Sequence, residues 1–167
     1  MKVPNSDVEK MIRFITAIGL PVKTETIEGP TFLPGLAIVH GGLVIDVDKL
    51  LYPGDILHEA GHLAVMPPAI RATLHGDLDP AIDLEHAGEL MAIPWSYAAC
   101  LHLGLDPSVV FHANGYRNGG KAITENFSKG LYFGVPMLQW IGLCYEPRRD
   151  KQYDAAPYPN MLKWVRE

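Results

Sequence analysis

The sequence predicts an α+β domain with an N-terminal helix, a small antiparallel sheet built on a hairpin, and a mid-chain helix packed on a long glutamate-bearing helix. A helical or irregular C-terminal part follows. Three observations carry this: a 3.6-residue apolar period near the start, two β-branched runs separated by glycines, and an apolar stretch bounded by Pro-Gly and Pro-Pro. With 167 residues, 48% of them hydrophobic and both charge signs present, the chain is long enough to bury one core. A single domain over residues 1–167 is expected.

Each element has a local reason. Ser6 can cap a helix with Asp7 and Glu9 in its first turn, and Val8, Met11, Ile12, Ile15 and Ile18 fall on one face before Gly19 and Pro21 close it. "VKTETIEGPTF" is weakly extended. Leu36 to Val39 and Leu43 to Val47 flank His40-Gly41-Gly42, so a hairpin is expected with the Gly-Gly pair supplying positive φ. Pro53-Gly54 breaks the chain, Asp55 can cap, and a helix runs to about Met66, where Pro67-Pro68 ends it. After a loop, residues from about Pro80 to His102 read as a long helix that Pro94 kinks or splits. "VVFHANGYRNGGKAITENF" reads as a short apolar run and a glycine-rich loop. "FSKGLYFGVPMLQWIGLCY" reads as an interrupted helix or two short elements. The Pro-rich, charged tail is expected to wrap the surface with Trp164 as its anchor.

Composition narrows the function. A formal net charge of -5 argues against direct nucleic-acid binding, and Arg148-Arg149 is followed at once by Asp150, so no basic run builds up. Cys100 and Cys144 stand in apolar surroundings without metal or redox spacing and read as buried free thiols. The opening "MKVPNSDVEKMIRF" lacks the apolar run of a secretory signal, and nothing approaches the roughly 18 apolar residues of a membrane span. A cytoplasmic protein without membrane contact is expected.

The chemistry concentrates in "DILHEAGHLAV", residues 55 to 65. Histidines four apart lie on one helix face a turn apart, so His58 and His62 can aim at a common point. Glu59 is turned about 100° from His58, where it can reach a water at that point. H-E-x-x-H thus offers two nitrogen ligands and a general base. A solvated polar stripe is a poor alternative, because Ile56, Leu57, Leu63, Ala64 and Val65 make the helix apolar and unpartnered burial of three polar groups costs several kcal/mol. Ala60 and Gly61 would let a neighbouring helix come close. A catalytic zinc site takes a third protein ligand, and "DLEHAGELMAIPWSYAA" offers Glu85, His86 and Glu89 on one broad helix face.

An amphipathic helix, a hairpin, an HExxH helix and then a helix with a glutamate ahead of alanines and aromatics resemble the ImmA/IrrE family of compact zinc metallopeptidases, relatives of the gluzincins. The resemblance covers about residues 5–103 and leaves 104–167 as a C-terminal extension without a recognised motif. It implies a minimal zincin-like fold, zinc as cofactor, His58, His62 and Glu89 as ligands, and Glu59 as catalytic base. Glu85 is the reserve ligand, and His86 could orient a ligand from behind. It also implies a peptide or protein substrate, such as a regulator, which Leu43 to Val47 could align by main-chain pairing.

Zinc so held would bring the pKa of a bound water to about 7, with Glu59 taking the proton as water attacks a carbonyl. His75, His112, Tyr116 and Arg117 lie in loop-like stretches and are candidates to stabilise the oxyanion, with His112 foremost. Two histidines and a carboxylate also suit Fe(II), although the intervening glutamate favours zinc. Two rivals share the site: a metal-binding regulatory module without catalysis, and a hydrolase of a small amide. Trp95, Tyr97, Phe111, Tyr132, Phe133 and Trp140 are assigned to packing rather than to a cleft.

Overall fold

A computed structural model describes residues 5–77, 79–147 and 153–167. Helix α1 (Asn5–Ala17) leads into strand β1 (Val22–Thr24), then β2 (Leu36–Val39) and β3 (Gly42–Ile45). Helices α2 (Asp55–Val65), α3 (Pro68–Arg71), α4 (Pro80–His86) and α5 (Gly88–Leu103) follow. The C-terminal part holds α6 (Gly120–Ser128), α7 (Val135–Trp140) and an irregular tail. Arg148 and Arg149 lie outside the described residues.

The architecture is α+β, but the sheet is mixed rather than antiparallel. Its order is β1-β3-β2: β2 and β3 form the expected antiparallel hairpin, and β1 joins β3 in parallel with Val22 opposite Leu43. α1 precedes β1 in the chain, and it packs on both β1 and α2. The hairpin register pairs Val39 with Gly42, so the turn residues are His40 (φ 47°) and Gly41 (φ 74°) rather than the Gly-Gly pair. Two left-handed residues in succession match the right-handed twist of the flanking strands. β3 is the middle strand, with Leu43 to Ile45 paired to β1 on one side and to β2 on the other, so these residues offer no free edge for the expected main-chain pairing with a peptide. The regular strand ends at Ile45.

The second correction concerns the long helix. It continues through Pro94 and breaks instead at Ala87, which sits in the left-handed region at φ 52°, ψ 38°. The Asp83 carboxylate accepts a hydrogen bond from the Glu89 amide at 3.1 Å, serving one of the donors that a helix start leaves unpaired. Pro94 is buried inside the helix, and its carbonyl accepts from the Tyr158 hydroxyl at 2.8 Å. At the far end Gly104 (φ 66°) closes α5, and the Leu105 amide returns to Cys100 O at 2.9 Å.

α5 is buried from Met91 to Cys100, as a helix apolar on every side must be. α2 lies directly on it, with Ile56, Leu57, Ala60, Leu63 and Ala64 fully buried. Gly61 explains the close approach, since a Cβ there would stand 3.1 Å from Ala92 O and 3.2 Å from Trp95 Cε3. The α2/α5 pair is therefore the rigid floor of the molecule. Both cysteines are buried free thiols, with burial lifting each to about 12.

Two stretches read as loops contain helix: α3, and α6 within the glycine-rich segment. The tail packs back as expected, with Trp164 edge-on to Phe14 at 4.9 Å and Trp95 Nε1 donating to Trp164 O at 2.8 Å. Trp95, Tyr97 and Phe111 belong to the core, whereas Trp140 is 80% exposed and does not pack as expected. Among the described residues no helix is long and apolar enough to cross a membrane.

Candidate metal centre

The helical spacing of α2 and the break before α5 together build the site. His58 and His62 point their Nε2 atoms toward each other at 3.1 Å, and Glu89 brings Oε2 to 3.0 Å from His62 Nε2 and 3.4 Å from His58 Nε2. Ligand atoms about 2.0–2.1 Å from a tetrahedral zinc stand about 3.3 Å apart, so all three edges match one face of such a tetrahedron. His62 is buried, His58 is mostly buried and the Glu89 side chain is 51% exposed, which leaves the carboxylate side of the cluster facing solvent.

The outward nitrogens are held as well. Asp83 Oδ1 lies 2.9 Å from His62 Nδ1, a close charge contact whose angle falls off the hydrogen-bond line, so neither buried atom has an aligned partner. Charge at 2.9 Å still orients the ring. On the other histidine, the Tyr116 hydroxyl lies 2.8 Å from Nδ1 of His58. Such outer contacts fix which ring nitrogen is free to ligate. The donor set therefore fits a divalent cation of the zinc type, and two nitrogens with one carboxylate is a chemistry that such ions accept.

Charge follows the same geometry. Burial disfavours a proton on His62, but Asp83 and Glu89 outweigh it and hold its pKa up at about 10. Burial likewise pushes Glu89 upward, and His58 and His62 overcome that to hold it well below the usual carboxylate range. Without metal, the two carboxylates therefore favour the protonated form of the His62 ring. Burial raises Glu59 above its ordinary value, with His58 and His62 opposing.

No known protein family, curated protein or solved structure matches this chain. The site must therefore be read from its own residues.

Of the expected residues, His58, His62 and Glu89 come together, and Glu59 lies close enough to feel the charge of all three. Glu85 is exposed on α4, and the break at Ala87 turns it away from the face it was expected to share with Glu89. The part expected of His86 falls to Asp83. Asp55 is the first residue of α2 rather than its cap, and its Oδ1 lies 3.1 Å from His112 Nε2. His112 also stacks on Tyr52 with ring centroids 4.1 Å apart. His75 packs against His40 at the hairpin turn, Arg117 is exposed, and Tyr116 meets His58 on the nitrogen turned away from the cluster. Tyr116 is thus not placed as an oxyanion donor. Asp83 went unseen because its contact depends on the helix break; an aspartate six residues ahead of the candidate ligand Glu89 was the only signal.

Proposed function

We propose that this chain is a metal-dependent hydrolase of the compact zinc metallopeptidase type, resembling the ImmA/IrrE family and cleaving a peptide bond. The observation that carries the reading is the triangle of His58 Nε2, His62 Nε2 and Glu89 Oε2, with edges of 3.1, 3.0 and 3.4 Å. A zinc ion held there would supply Lewis acidity and a water acidified to a pKa of about 7.

This chain's residues do the rest. Glu59 takes the proton from the attacking water and passes it to the leaving nitrogen. Burial raises its pKa above the ordinary carboxylate value, which favours acceptance of that proton. Asp83 holds the His62 ring, and the apolar floor of α2 and α5 keeps water from the inner side of the site.

The test pairs metal analysis with turnover. Purified protein is expected to carry about one zinc per chain and His58→Ala to carry none. Glu59→Gln is expected to keep its metal and lose turnover of a mixed peptide pool by about 10²–10⁴-fold. Stoichiometric metal in His58→Ala would refute the site, and full function in Glu59→Gln would leave a binding module in place of an enzyme.

A further inference from the structure

We propose that Tyr116 is a positioning residue for the metal centre: its hydroxyl, 2.8 Å from Nδ1 of His58, selects the ring tautomer and orientation that leave Nε2 free to ligate. The inference rests on the metal reading of the site. An imidazole that ligates through Nε2 must carry its hydrogen on Nδ1, and a buried N–H needs an acceptor. For His62 a carboxylate stands at that place. For His58 the Tyr116 oxygen takes it, accepting from Nδ1–H. A neutral partner spares the site another negative charge beside Glu59, Glu89 and Asp83.

The ring is fixed by more than its hydroxyl. It stands edge-on to His58 with centroids 5.4 Å apart at 89°, and it packs on buried Phe111 at 5.1 Å. Burial, reinforced by Glu89, Asp55 and Glu59, pushes the phenol well above its usual range, so it stays neutral.

The backbone that delivers it is strained. Tyr116, Arg117 and Asn118 are three successive non-glycine residues in the left-handed region, at φ 54°, 51° and 65°. Each carries a steric cost that an L-residue normally avoids, although Gly115, Gly119 and Gly120 stand next to them. Strain that persists is over-determined by its surroundings. Here the turn is held by its own bonds, Asn118 N–H to Gly115 O at 3.0 Å and Gly119 N–H to Tyr116 O at 2.8 Å, and by the contacts of Tyr116 with Phe111 and His58. The same segment grips α2 a second time through His112 and Asp55 at 3.1 Å.

Tyr116→Phe keeps the ring and removes the oxygen. In metal-free wild type, nitrogen-edited NMR is expected to show an exchange-protected Nδ1–H on His58 with cross-relaxation to the Tyr116 ring, and Tyr116→Phe is expected to lose that protection. Cobalt(II) affinity is expected to fall about tenfold in Tyr116→Phe, with a changed visible spectrum. Arg117→Gly, which relaxes the turn and keeps the hydroxyl, is expected to bind cobalt within about threefold of wild type. Equal affinity and an identical spectrum in Tyr116→Phe would overturn the role of Tyr116 and leave the metal site standing. Failure of wild type to take up cobalt would overturn both. Should Tyr116→Phe not fold, the wild-type cross-relaxation decides, and its absence refutes the contact.

Discussion

Asp83 reaches His62 with one oxygen, at 2.9 Å, and the Glu89 amide with the other, at 3.1 Å, so one carboxylate ties together a candidate ligand from each helix. Asp83→Ala should therefore weaken zinc binding by about 10–100-fold in competition titration with a chelating dye. Lost helix-start capping should add about 1 kcal/mol of destabilisation by urea unfolding. The charges also set a pH dependence for chelator-treated protein. The pKa of His62 is raised from 6.5 to about 10, so its contribution is complete below pH 6.5 and is lost as pH rises through 10. Glu89 is depressed from 4.5, so its contribution is present above pH 4.5 and is lost as pH falls below it. Urea midpoints of the metal-free protein should fall between pH 6.5 and 10; a rise over that window would contradict the clamped proton. If zinc takes His62 it would release the ring proton, so its affinity should climb with pH, and calorimetry in buffers of different ionisation enthalpy should detect proton release.

At the scale of elements, the decisive feature is the break between α4 and α5. Ala87 turns the chain, and Gly88 fits against Asp83 Oδ1 and Met66 Cε, where an added Cβ would overlap both. Gly88→Ala should push Asp83 off His62, cost about 1–3 kcal/mol by urea unfolding, and lower zinc affinity in the same direction as Asp83→Ala. An unchanged affinity would detach the break from the site. The sequence located α2 to within a residue, because Pro-Gly and Pro-Pro bound a largely apolar stretch. It placed the break at Pro94 instead. A proline is visible in a string of letters, whereas a left-handed alanine is imposed by what packs around it. β1 was faint for a similar reason: three residues with one half-buried side chain carry almost no period.

Over the whole molecule, the C-terminal tail ties together elements distant in sequence. Trp164 sits among Phe14, Trp95 and His102, Arg71 Nη2 donates to Arg166 O at 2.6 Å, and the Arg166 amide reaches Ala64 O at 2.8 Å. Trp164→Ala should cost about 2–4 kcal/mol, read from the urea midpoint, and should leave zinc affinity nearly unchanged because its contacts lie on the tail side of α5. The helix residues His58, Glu59 and His62 were fixed by the sequence alone, since a helix converts a spacing of four into a shared face with no help from the rest of the chain. The proximity of Glu89 rather than Glu85 to the two histidines, the contacts of Asp83 and Tyr116 with them, and the enclosure of β3 were decided only in three dimensions. Each depends on where separate segments meet, and local periodicity holds no record of such meetings.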